Sequence, residues 1–255
     1  MISLIRSEFR KVFSTKLLFI LIISAVAFAL LQVFLLIFVT PTDFNPDANQ
    51  LMNPQYIKTI TASAGSASIF LLILGIVAMS GEYRNQTITS TFLVTPVRWK
   101  VIVAKMATFA ILAFFIAILL WLIVSITAML LLTTQDSAPF EWSGAFEILG
   151  GTVLGLVLYG VLGVAIGSLI TSQVAAIIIA LIWFLIVEAL LSVFFATFAN
   201  WLPGGALNAI LQTNGNPEAI DADLLSVPVG ALVLIGYAAI FAIAAAFFTT
   251  KRDIT

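Results

Sequence analysis

Six stretches of this chain run for 20 residues or more with almost no charged side chain: residues 17–39, 61–80, 101–132, 148–170, 174–198 and 227–248. A helix needs roughly 20 apolar residues to cross hydrocarbon about 30 Å thick, so each stretch is long enough to span a bilayer. Lipid offers nothing to bond the backbone N–H and C=O groups, and runs of this kind satisfy them as helices. The expected fold is therefore all-α: a polytopic membrane protein with about six transmembrane helices in a single transmembrane domain over residues 1–255. Composition agrees, because 62% hydrophobic and 9% charged residues leave too little polar surface to clothe a soluble domain. Basic residues precede the first run, as in a secretion signal. That run is longer than a signal's apolar core and lacks a small-x-small cleavage site before its end, so it reads as a retained span.

Charge then sets the orientation. Ten of the eleven basic residues fall in three segments: Arg6, Arg10, Lys11 and Lys16; Arg84, Arg98, Lys100 and Lys105; Lys251 and Arg252. Six spans place all three segments on one side. The opposite loops hold Lys58 and the acidic residues Asp43, Asp47, Asp136, Glu141, Glu147, Glu218, Asp221 and Asp223. The positive-inside rule puts both termini in the cytoplasm.

Two elements on the basic side stand out. Residues 1–16 predict an amphipathic helix, with Ile2, Ile5, Phe9, Val12 and Phe13 on one face and Arg6, Arg10 and Lys11 on the other. Such a helix lies in the interface plane, apolar face in lipid and cations at phosphates, as an anchor for the first span or as a docking element. The second element is the loop 81–100, which runs on to Lys105 at the opening of the third span. Residues 87–94 can form a short helix that Thr95-Pro96 would end. Phe92 and Leu93 would then be apolar knobs inside a rim of Glu82, Arg84, Arg98 and Lys100, which suits docking to a soluble partner as well as it suits an ordinary polar turn. The third run is longer than one span needs, so its Lys105 end is expected among the headgroups.

The loop resembles the cytoplasmic loop of ABC-2 type transporter permeases. Glu82, Arg84, Thr87, Pro96, Arg98 and Lys105 match that family's order of glutamate, basic residue, threonine, proline, arginine and lysine. Gln86 stands where the family usually has glycine. The likeness extends over the whole chain, from the basic amphipathic start through a tight fourth-to-fifth connection to a short basic tail. It implies an ABC-2 (type V exporter-like) permease in the cytoplasmic membrane of a prokaryote. By that resemblance residues 87–94 are a coupling helix seated in a separate ATP-binding subunit, with Glu82, Arg84, Thr87, Phe92, Leu93, Pro96 and Arg98 as coupling residues. The N-terminal helix, through Phe9, Arg10 and Phe13, is the connecting helix beside it. A second copy of the chain, or a homologous permease, completes the pathway within the lipid bilayer. ATP and Mg belong to the partner, this chain binds no cofactor, and no nucleic acid is involved.

Inside the membrane, Glu188 is the one ionisable residue deep in an expected span. It costs roughly 2.5–3.5 kcal/mol on insertion scales unless it finds a partner. It therefore lines the pathway or a subunit interface, or else hydrogen-bonds a neighbouring helix. Ser66 and Ser68, in the second span, are further lining candidates by resemblance. Gly151, Gly155, Gly163 and Gly167 recur at four-residue multiples, with Tyr159 completing the register, and favour close helix packing. Residues 199–226 form a loop on the acidic side. Its apolar stretch 206–211, after Trp201-Leu202-Pro203-Gly204-Gly205, is too short to span; it is either an embedded re-entrant segment or a surface turn.

The sequence also excludes chemistry. It has no histidine and no cysteine, which removes imidazole and thiolate metal sites and the commonest nucleophiles and bases. No G-x-x-x-x-G-K-[ST] run occurs, so the chain cannot hydrolyse nucleotide through a P-loop. A membrane-embedded enzyme is correspondingly disfavoured. The main alternative to an ATP-driven permease is an ion- or proton-coupled transporter or channel built on Glu188.

Overall fold

The computed structural model describes residues 2–39, 50–87, 97–213 and 224–251. It is helical throughout these segments. Helix α1 (Ile2–Phe13) turns through Ser14 and Thr15 into α2 (Lys16–Phe38). Helix α3 (Pro54–Ala62), a 3-10 turn (Ser63–Ala67) and α4 (Ser68–Arg84) follow, then α5 (Arg98–Leu132) and α6 (Trp142–Leu169). Beyond the three-residue link 170–172 come α7 (Gln173–Leu181), a π-helical turn (Ile182–Val187) and α8 (Glu188–Phe194). Short helices α9 (Ala196–Ala199) and α10 (Pro203–Leu211) precede α11 (Val227–Lys251).

Six helical runs are long and apolar enough to cross a membrane, as the sequence led us to expect. Their bounds differ informatively. The second span is not the stretch 61–80 but the longer run Pro54–Arg84. It starts at a capped end, where the Gln55 N–H donates to Asn53 Oδ1, with Pro54 at the first helical position. In its middle the Ser-Ala-Gly-Ser-Ala sequence tightens into the 3-10 turn. There the Thr61 and Ser63 hydroxyls bond back to the carbonyls of Lys58 and Ile60. The fifth span stops at Phe194, because Phe195 leaves helical geometry at φ −140°, ψ 59°.

The spans divide into an inner and an outer set. Second, fourth and third spans are 67%, 61% and 50% buried, whereas first, fifth and sixth are 22%, 17% and 22% buried. The outer three present Ile, Leu and Phe outward along their length, faces that lipid or another subunit must cover. Helix α6 is the hub, packed on α4, α5 and α11. The glycine stripe explains the closeness to α4: Gly163 lies against the Leu72 carbonyl, Gly167 against that of Ile76, and no Cβ would fit at either. At the end away from α1, Trp121 Nε1 donates to the Ala145 carbonyl at 3.0 Å, and Lys58 pairs with Glu147.

Candidate functional site

The most concentrated chemistry lies where α1 meets the ends of the second and third spans. Glu8 is fully buried, Glu82 nearly so, and Lys105 only 1% exposed. Lys11 Nζ donates to Glu8 Oε1 at 2.7 Å and to Glu82 Oε1 at 2.8 Å. Lys105 Nζ donates to the same Glu82 oxygen at 2.9 Å and also pairs with Glu8. Two carboxylates and two ammoniums thus close a neutral four-membered cluster. It pins α1 to the end of α4, where the loop begins, and to the second turn of α5.

Each member is placed by local structure. Glu8 and Lys11 sit three apart on α1 and share a face with Val12, whose side chain is buried in the core with Leu18, Val101 and Ile102 close by. Lys105 lies two turns into α5. Burial raises the Glu8 carboxyl, but the Lys105 and Lys11 charges and their hydrogen bonds outweigh it and hold the group below its usual value of 4.5. Burial lowers Lys11, and its bonds to Glu8 and Glu82 reverse that to a net rise. Both groups are therefore charged across the ordinary pH range.

One expectation is corrected here. Lys105, expected among the headgroups, turns inward to Glu8 and Glu82, because an ammonium inside an apolar run is cheapest beside a carboxylate. The charged face of α1 is present: Arg6, Arg10 and Lys11 are exposed, and Lys11 also reaches Glu8 and Glu82. Of its apolar face, Phe9 packs on the core and stacks on Phe13, which is itself 53% exposed. The overlooked member was Glu8. Its signal was an acid in an otherwise basic helix, three residues before a lysine.

The other loop residues fall around this cluster. Arg84 Nη1 donates to Gln173 Oε1 at 3.3 Å, joining the end of α4 to the start of α7, and the Thr87 hydroxyl donates to the Glu82 carbonyl at 3.4 Å. Gln86 adopts φ 56°, the left-handed geometry that glycine favours, and so ends α4 at the position where the resemblance expects glycine. Arg98 opens α5. Phe92, Leu93 and Pro96 lie outside the described residues. A cleft of about 480 Å³ opens beside the cluster, bordered among the described residues by Lys11, Thr15, Val77, Arg84, Thr87 and Gln173.

The intramembrane candidates lie elsewhere. Ser66 sits in the 3-10 turn of the second span, its buried hydroxyl without a hydrogen-bond partner among the described residues; Ser68, buried, opens α4. Glu188 follows the π-helical turn of the fifth span, and its Oε2 accepts the Gly204 N–H at 2.6 Å. The hydrogen bond to a neighbouring helix is thus present. Residues 206–211 belong to α10, which is buried against α6 and α11 and is not a surface turn.

The described residues form an all-α bundle with six helices long and apolar enough to cross a membrane, and no metal-ligand cluster is found among them. The family model for ABC-2 family transporter proteins matches residues 4–187, and the chain belongs to that family. It is thus a permease of an ABC transporter. No curated protein matches the chain. The family match takes in the whole charged cluster and ends one residue before Glu188.

Proposed function

We propose that this chain is the membrane half of an ATP-driven exporter, moved by a separate ATP-binding subunit that docks on the loop 81–100. Both termini and that loop face the cytoplasm of a prokaryotic cell, and a second permease chain completes the pathway. ATP and Mg bind the partner. The observation that carries this reading is the Glu8–Lys11–Glu82–Lys105 cluster. A partner pushing on the loop acts on Glu82, and Glu82 is bonded to the interfacial helix and to the third span. Displacement at the loop is therefore passed to two elements at once, as a switch between inward- and outward-facing arrangements requires. Residues 87–94 are the docking helix in this scheme, with Phe92 and Leu93 as its apolar anchors.

The test is a Glu82→Ala/Phe92→Ala double variant reconstituted with the ATPase. Hydrolysis should continue while transport falls by roughly tenfold or more, as loss of anchor residues at an interface predicts. Normal transport by the double variant would remove the loop from the coupling path.

A further inference from the structure

Helix α10 is short, buried and held in an unusual way. Its closest approaches are to glycines, while Leu207, Ile210 and Leu211 also pack into the core with Leu72, Leu158 and Leu234. Leu207 fills the notch at Gly155, the Ile210 carbonyl lies over Gly151, and Gly230 of α11 packs on the Ala206 carbonyl. At its far end Leu211 enters the second span's 3-10 turn, its side chain resting against Gly65. The glycines let the backbones approach closely. In a membrane such packing has no hydrophobic drive behind it, because lipid tails are as apolar as leucine.

One polar contact fixes the other end. Pro203 opens α10 and carries no N–H, so the Gly204 amide is the helix's first free donor. Glu188 Oε2 accepts it at 2.6 Å, and a side chain at position 204 would collide with that oxygen. The Glu188 carboxyl group also faces the positive end of the α10 dipole. Glu188 comes directly after the π-helical turn, an interruption that rotates a helix face and recurs at functional sites. Helix α10 therefore bridges two interruptions, one in the second span at Gly65 and one in the fifth at Glu188.

We propose that α10 is a movable crossbar between the broken second and fifth spans, and that Glu188 is the positioning residue that holds it seated. Release of the Gly204 N–H frees the N-terminus of α10 to leave its glycine socket, and that loosens this end of the bundle. The inference stands on the joint itself and does not depend on the direction of transport or on the partner.

The chain has no cysteine, so a single introduced thiol reports without background. Ala206→Cys places it on the buried face of α10, and Ala128→Cys, equally buried in the third span, serves as a fold control. Both are labelled with a maleimide in membranes containing the full-length permease without ATPase or nucleotide. Glu188→Ala and Gly204→Ala should each speed labelling at position 206 by roughly tenfold or more while position 128 stays protected. Glu188→Gln, whose amide oxygen can still accept the Gly204 N–H, should label within about twofold of the parent. Protection of position 206 in both disrupting variants overturns the proposal. So does exposure of positions 206 and 128 together, which would make Glu188 a support of the whole fold.

Discussion

The chain buries carboxylates at two places and treats them oppositely. At the α1 end, Glu8 and Glu82 are matched by Lys11 and Lys105, and three of their four bonds tie three segments together. In the fifth span, Glu188 meets the Gly204 N–H and the Trp183 side chain and no cation among the described residues; its Oε1, like Oε2 of Glu82, has no hydrogen-bond partner there. The compensated cluster is costly to break, because removing one member strands a buried charge. The uncharged contacts at Glu188 are cheaper to exchange. In the scheme proposed above, the first site is a brace and the second a joint.

The largest expected effect comes from unbalancing the brace. Lys105→Met leaves Glu8 and Glu82 with Lys11 alone and should destabilise the purified permease by about 3–5 kcal/mol, read by thermal unfolding in nanodiscs. Adding Glu8→Gln restores neutrality and should recover much of that loss. A single variant as stable as the parent would mean that the cluster braces nothing. The same substitution at the two sites sharpens the contrast. Glu82→Gln leaves the cluster with a net positive charge and should cost about 1.5–3 kcal/mol, whereas Glu188→Gln should cost less than about 1 kcal/mol. Equal costs in the same melt would erase the distinction between brace and joint.

The smallest effect is that of pH on the docking of α1. The folded Glu8 value is depressed, so its contribution is complete above the usual 4.5 and fades only as pH falls through the lower folded value. The folded Lys11 value is raised, so its contribution is complete below the usual 10.5 and lost only as pH rises past the folded one. Protection factors along α1, with the intrinsic pH dependence of amide exchange divided out, should therefore stay flat between these limits and fall in stronger acid. Release of α1 near neutral pH would show that the charges do not hold it.

The spans were legible in the sequence because a 20-residue apolar run has few other solutions. The loop's order of residues carried the family resemblance, and the match over residues 4–187 bears that family out. What escaped were features made by contact between distant segments. Nothing near Lys105 in sequence announces Glu8, 97 residues away, and the lysine was expected among the headgroups instead. The glycine stripe of the fourth span was rightly taken for packing, but its partners Leu72, Ile76, Leu207 and Ile210 come from two other elements. The 3-10 and π-helical turns leave almost no trace in hydropathy, so each break appeared as uninterrupted span. Glu188 was conspicuous by its charge, while its donor lay in the Pro203-Gly204-Gly205 corner, a motif that local reasoning could take for a simple turn.

The permease is proposed to work with a separate ATP-binding chain, and mass spectrometry of the complex purified through this chain in mild detergent or nanodiscs tests that. A stoichiometric partner bearing a P-loop is expected. A homo-oligomer with no ATPase, under conditions that keep complexes intact, would contradict it and turn attention to transport driven by an ion gradient through Glu188.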